Sequence, residues 1–281
     1  MSVSNEGYTG STEPRPLKVL VSGWKGNMGQ ETVRAVLDAD GMCVAGGYDP
    51  KATQTEITLG GQHVAPAFIE LDQAISAVQP DVLVDFSLPV AAPENIKTAL
   101  EHRVDCVVGT SGLDHATLER LGTYAKNETA LFVAPNFSIG AVVMMMAAAQ
   151  AAKYFPDVEV LEFHHNAKAD APSATAIATA RTIARLRAEQ DLATAAPGPE
   201  AELIDFAGSR GAALGDVRLH SIRSDGFVAA QEVIFGSPGQ TLTIRHDSIN
   251  RSAFMPGVLL AIRKVGQLRG LIIGLEELMN L

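Results

Sequence analysis

Five short, nearly unbroken apolar runs recur along the first half of the chain, at residues 17–22, 42–48, 81–86, 105–109 and 130–134. Between them lie stretches with apolar residues at helical spacing: residues 30–38, with Val33, Val36 and Leu37 on one face, then 91–100 and 114–126. Strands alternating with helices predict a parallel sheet covered on both faces, which binds ligands beyond the carboxyl ends of its strands. Residues 51–68 read as a polar excursion with a turn at Gly60-Gly61. After Ser138 the texture changes. Residues 139–154 are Ala-, Met- and Val-rich and apolar nearly all round, which predicts a buried helix whose methionines pack in the core or at an interface. An alternating run at 158–161 predicts a strand, residues from about 174 to 189 a helix, and 191–207 an Ala/Pro/Glu-rich loop. Residues 217–223, 227–235 and 240–246 read as strands, the last two joined at Ser237-Pro238-Gly239. Residues 253–281 return to helical spacing and end on the apolar run 271–273.

The expected fold class is therefore α/β. An N-terminal Rossmann-like parallel-sheet domain is joined to an α+β C-terminal domain with an open mixed or antiparallel sheet. The boundaries read as a disordered tail at 1–16, a dinucleotide-binding domain at 17–137 plus 252–281, and a substrate-binding and oligomerisation domain at 138–251. A sheet with one helix layer leaves a face to cover, and Val228, Val233 and Ile234 suggest that a second copy covers it.

Chemistry enters with the turns. Gly23-Trp24-Lys25-Gly26-Asn27-Met28-Gly29 follows the first strand and opens the first helix. In dinucleotide folds the first such glycine makes the tight turn, the second admits the pyrophosphate and the third lets helix and strand pack closely. Asp49 ends the second strand at the offset, about 20 residues on, where an acid takes the ribose hydroxyls. A carboxylate there repels a 2′-phosphate, and Pro50 stands where an arginine would help NADP, although Lys25 and Lys51 could offset that charge. The expectation is NADH preferred, NADPH tolerated. Phe86-Ser87, Gly109-Thr110-Ser111-Gly112 and Pro135-Asn136-Phe137-Ser138 fall at strand ends, where a nicotinamide and its ribose would lie.

A second group of candidates is Glu162-Phe163-His164-His165-Asn166-Ala167-Lys168-Ala169-Asp170-Ala171-Pro172-Ser173-Ala174-Thr175. A strand delivers the imidazoles, a loop carries Lys168, and Ser173 or Thr175 caps the helix that follows. Unpaired N–H groups at a helix start attract a carboxylate or phosphate. Proton-transfer groups, a cation and an anion cradle thus converge, as an anionic substrate that must be protonated requires. Adjacent strand histidines point to opposite faces, and no Cys or third His lies at ligand spacing, which argues against a metal.

Composition narrows the partners. With 22 Lys and Arg against 32 Asp and Glu, the net charge of −10 argues against nucleic acid. Cys43 and Cys106 are too few for a disulfide framework, and no apolar run spans a bilayer, so the reading is cytoplasmic, with no membrane partner.

Taken in order, Gly23-x-x-Gly26-x-Met28-Gly29, Asp85-Phe86-Ser87-x-Pro89, Gly109-Thr110-Ser111-Gly112, Ala134-Pro135-Asn136-Phe137-Ser138 and His164-His165-x-x-Lys168-x-Asp170-Ala171-Pro172-Ser173-x-Thr175 closely resemble the 4-hydroxy-tetrahydrodipicolinate reductases of the diaminopimelate route to lysine. The resemblance implies NAD(P)H-dependent reduction of a small dicarboxylate by a homotetramer. It implies that His164 is the proton donor and acceptor and Lys168 the second proton donor. His165 would hold a substrate carboxylate, and Ala174 and Thr175 would cradle one at the helix start. Residues 23–28 (Gly23, Trp24, Lys25, Gly26, Asn27, Met28), Asp49, Gly109, Thr110, Ser111, Ala134, Pro135, Asn136 and Phe137 would contact the cofactor. This chain departs from the family's pattern at Ala174, where glycine is usual, and at Asn27, where a cation is usual. A semialdehyde dehydrogenase needs a cysteine in the second domain, and both cysteines lie in the first. A non-catalytic dinucleotide sensor of the same fold is the competing class.

Overall fold

The computed structural model describes residues 15–125, 128–189 and 208–279. The tail reading of 1–16, apart from Arg15 and Pro16, and the loop reading of 191–207 lie outside the described residues. The chain divides into two compact units, Met1–Leu131 with Val265–Leu271 and Phe132–Lys264 with Ile272–Leu281.

The elements up to residue 133 are β1 (Leu17–Ser22), α1 (Asn27–Leu37), β2 (Met42–Tyr48), β3 (Glu56–Leu59), β4 (Gln62–Phe68), α2 (Leu71–Val78), β5 (Val82–Asp85), α3 (Ala92–Glu101), β6 (Asp105–Val108), α4 (His115–Ala125) and β7 (Ala130–Val133). Those that follow are α5 (Ile139–Ala151), β8 (Asp157–His164), α6 (Ala174–Glu189), β9 (Ala212–Leu214), β10 (Val217–Arg223), β11 (Ala229–Ser237), β12 (Gln240–Ser248), α7 (Met255–Val265) and β13 (Gly270–Ile273). No described helix is long and apolar enough to cross a membrane.

An eight-stranded sheet runs β13-β7-β6-β5-β1-β2-β4-β3. Strand β1 pairs in parallel with β2 on one side and β5 on the other, so the strand order reverses at its carboxyl end, which is where such sheets take ligands. The central strands are fully covered (Leu20, Leu83, Val84 and Val107 are 0% exposed), and this explains their unbroken apolar runs. The polar excursion at 51–68 is a hairpin, β3 antiparallel to β4, turning at Gly60-Gly61. Only Ile57 and Ala65 are buried along it, so an edge hairpin leaves too few apolar positions to show a period. The eight-residue α2 was likewise not expected; it buries little more than Leu71, Ala74 and Ile75.

The second sheet runs β12-β11-β8-β10-β9. Strand β10 is parallel to β8, whereas β11 is antiparallel to both β8 and β12. Side chains paired in register stand in rows across the strands on one face. The row Leu219, Val160, Val233, Ile244 packs against Met144 and Ala148 of α5 and Ala176, Ala180 and Ile183 of α6. Those α6 residues repeat at i, i+4, i+7, the stripe that faces a helix toward a sheet. Val233 was expected on the uncovered face; it is 0% exposed in this core, because the strand's alternation turns it toward the helices. Arg187, 2% exposed, fixes the far end of α6 by bonding Asp216 at 2.5 Å and the Pro156 carbonyl at 2.6 Å.

Candidate active site

One strand register beyond that apolar row, the same face of the second sheet turns polar. The next row reads Ser221, Glu162, Gln231, His246, and the one after it Arg223, His164, Ala229, Ser248. His164 is the last residue of β8, and Arg223 the last of the parallel neighbour β10, so both side chains come to the carboxyl edge together. A cavity there is lined by His164, Ser173, Thr175, His246, Asn136 and Ser138, among others.

Glu162 has a side chain only 1% exposed, an arrangement a carboxylate tolerates only when it is paired and hydrogen-bonded. Arg223 Nη2 stands 2.7 Å from its Oε1, and His164 Nδ1 bonds its Oε2. Burial works to raise the Glu162 carboxyl, but the Arg223 guanidinium, Ser221 and the His164 imidazole outweigh it and hold it below the usual carboxylate range. For His164, burial pushes the imidazole below its ordinary value; Glu162 opposes that, and the charges of Lys168 and Arg223 add to it. An ionised carboxylate only accepts, so Nδ1–H donates to Glu162 and Nε2 is the nitrogen left for other partners.

The loop after β8 brings back Lys168, whose Nζ lies 2.7 Å from Asp170 Oδ1 and keeps that carboxyl below its usual range. His165 is exposed past the strand end and does not line the cavity. Ser173 is the cap of α6: its Oγ accepts from Ala176 N at 3.2 Å, and its carbonyl from Ile177 N at 3.0 Å. The N–H groups of Ala174 and Thr175 therefore have no intrahelical acceptor and point out of the helix start. Among the described residues the non-glycine residues with positive φ are Gln79 and Arg103, so Ala174 holds an ordinary backbone conformation and presents its N–H without strain.

Two cavity groups had no role in the sequence reading. Gln231, 5% exposed, donates to Thr179 Oγ1 at 2.7 Å. The His246 ring lies 3.3 Å from Ser138 Oγ, the N-cap of α5, and burial lowers its affinity for a proton. A Cβ at Gly140 would come within 2.4 Å of that ring, so the ring occupies the space a side chain would fill. Both residues reach the site through strand pairing from distant sequence, which no local pattern reveals. For Glu162 a signal existed: it precedes His164 by two, and alternate strand residues share a face.

In the first unit the glycine turn behaves as a cradle. Gly23 has φ +73, and a Cβ there would meet the Phe86 carbonyl oxygen at 2.7 Å. A Cβ at Gly29 would meet Gly23 O at 2.2 Å, so helix and turn touch main chain to main chain. Gly26 is the N-cap of α1 and has no side-chain cap, which leaves the helix start open. A cavity of about 250 Å³ is lined by Gly23, Gly26, Asp49, Lys51, Phe86 and Ser87, among others. Asp49 Oδ1 accepts from Lys51 N at 2.9 Å, and Lys25 Nζ donates to the Lys51 carbonyl at 3.3 Å. The fit to a dinucleotide rests on this open helix start beside a strand-end carboxylate.

The remaining cofactor candidates divide. Thr110 is buried, and its hydroxyl donates to Asp85 Oδ1 at 2.6 Å, inside a network with Ser87 and Asn95. Gly109 packs against the Phe86 ring, while Ser111, Asn27 and Pro135 are exposed. Trp24 lines a separate cavity of about 230 Å³ with Arg34, Ile57 and Leu59. Ala134 and Phe137 are core residues of the second unit, where Asn136 lines the His164 cavity and takes Ser138 N at 2.8 Å.

A glycine-turn dinucleotide fold joined to a mixed sheet with a histidine-lined polar edge defines a two-domain, nicotinamide-dependent oxidoreductase. Family models described as dihydrodipicolinate reductase, N-terminus and C-terminus match residues 17–137 and 140–279. The chain belongs to the dihydrodipicolinate reductase family. It is 43% identical over 265 residues to the 4-hydroxy-tetrahydrodipicolinate reductase of Enterococcus faecalis, covering 94% of this chain and 100% of that one. It is 44% identical over 268 residues to that of Listeria monocytogenes serotype 4b, with the same coverage. The dipicolinate-bound dihydrodipicolinate reductase from Paenisporosarcina sp. TG-14 superposes with a TM-score of 0.81 at 36% identity, over 94% of this chain and 100% of that one.

Proposed function

We propose that this chain reduces 4-hydroxy-tetrahydrodipicolinate to tetrahydrodipicolinate with NADH or NADPH, in the diaminopimelate route to lysine. The observation that carries this reading is the polar edge of the second sheet, where His164 faces a cavity shared with the Ser173-capped start of α6. A substrate with two carboxylates finds there the N–H groups of Ala174 and Thr175 and, in the loop between, the Lys168 ammonium. Lys168 is held by Asp170, so binding requires the substrate carboxylate to share or replace that partner. His165, exposed beside this loop, is assigned to a carboxylate at the rim.

When bound, reduced nicotinamide supplies the hydride. Gly23, Trp24, Lys25, Gly26, Asn27, Met28, Asp49, Gly109, Thr110, Ser111, Ala134, Pro135, Asn136 and Phe137 are assigned to hold it, with the main chain around Gly26 taking the pyrophosphate. Loss of the 4-hydroxyl with a C3 proton, as water, would leave a conjugated imine; hydride reaching C4 would then push electron density toward the ring nitrogen, and a proton would return to C3. His164 Nε2 passes a proton as that charge builds, with Lys168 as second donor, a contribution of about 10²–10⁴ in rate. Asp49 favours a ribose diol, and NADH is assigned as the preferred cofactor. The second domain, 138–251, is assigned the tetramer contacts, through the sheet face opposite the helices. We assign the enzyme to the cytoplasm and assign it no metal.

A coupled assay with the upstream synthase, run with each cofactor, tests the reading. Oxidation of NADH that depends on the synthase product is expected. Binding of NADH without turnover would favour the sensor, a class that the catalytic relatives disfavour.

A further inference from the structure

The reading of His164 as the proton-passing group leaves one buried charge in its neighbourhood without a task. Glu162 shares a strand face with His164, two residues back, with Arg223 closing its other side from β10. Arg223 is itself tied down, donating from Nη2 to the Asp170 carbonyl at 2.7 Å. A carboxylate buried this deeply gives a fold little for its desolvation, since an apolar isostere often serves as well. Holding a second group in one orientation is something an apolar residue cannot do.

We infer that Glu162 is the positioning carboxylate of His164: it fixes the imidazole with Nδ1–H toward the sheet and Nε2 toward the cavity, and Arg223 holds it there. The inference rests on the proposed role of His164 and adds the residue through which that role is set. An anion at Nδ1 selects the tautomer with a free Nε2 and stabilises the imidazolium whenever Nε2 takes up a proton. The charged or titratable groups around the ring are Glu162 on its own strand, Lys168 and Asp170 in the loop, Arg223 on β10 and His246 on β12. The α6 start contributes Ser173 and Thr175, and the β11 neighbour is Ala229.

Two measurements decide it. In the full-length chain, ¹⁵N shifts of the His164 ring across a pH titration report the neutral tautomer without any turnover; Nδ1-protonated is expected, and Nε2-protonated would overturn the inference. In steady-state kinetics, Glu162→Gln is expected to lower kcat by about 10- to 100-fold with KM and NADH affinity nearly unchanged. It should also move the His164 limb of the pH–rate profile to lower pH, while Arg223→Gln moves it to higher pH. A purely structural role gives no such opposed displacement, and limbs moving together would sink the idea. Adding Glu162→Gln to His164→Gln should cost nothing further, because it acts through the missing ring. If the wild-type chain does not turn over the synthase product, the functional reading fails, and the tautomer still judges Glu162. If Glu162→Gln does not fold, the tautomer in the native chain settles the matter.

Discussion

The two units build their cavities from different material. In the first, main chain shapes the floor beside Asp49, a turn at Gly23 and an uncapped helix start at Gly26, with Lys51, Phe86 and Leu88 among the other residues that line the cavity. In the second, side chains do the work, standing in rows across four strands, and the helix start carries a Ser173 cap. A site made of main chain fails when an atom is added, and a site made of side chains fails when one is removed.

That contrast can be broken in order of expected effect. His164→Gln removes a reacting group and should lower kcat by about 10²–10⁴ with cofactor affinity unchanged, as steady-state kinetics and NADH titration would show. Full turnover would take His164 out of the chemistry. Gly29→Ala adds one methyl where Gly23 O stands 2.2 Å away. It should cost about 1–3 kcal/mol in denaturant unfolding and weaken NADH binding, while the His164 tautomer stays as it was. Asp49→Asn is the exception within the first unit, a side chain that reads the ribose. It should shift the ratio of kcat/KM for NADH over NADPH toward NADPH by about tenfold, or about 1.4 kcal/mol. A wild-type ratio already favouring NADPH tenfold would remove the assignment of NADH preference. Ala174→Gly closes the series. Because Ala174 already presents its N–H, the substrate KM should change by less than about twofold. A large improvement would mean that the methyl group had been obstructing the carboxylate.

Local pattern made most of the scaffold legible. Strands β1 and β2, the strand β10 and helix α6 lie where hydrophobic spacing put them, because each buries a continuous face. The β3–β4 hairpin and α2 escaped notice: they bury two or three residues apiece, too few to set a period against their polar neighbours. Among the candidates, His164, Lys168 and the α6 start stood out in the sequence because one short segment carries them. Arg223, Gln231 and His246 could not, since only the pairing of β10, β11 and β12 brings them beside β8. Ile234 shows the same limit in miniature: its neighbour Val233 looked equally available for a subunit contact, yet one position along the strand buries Val233 in the core and leaves Ile234 half-buried on the other face.

Position 140 shows how far an omission can reach. That residue has no side chain, yet the His246 imidazole rests in the hollow left by its missing methyl. A side chain there must push the ring from its seat, so a change at Gly140 would redraw the wall of the His164 cavity from a distance.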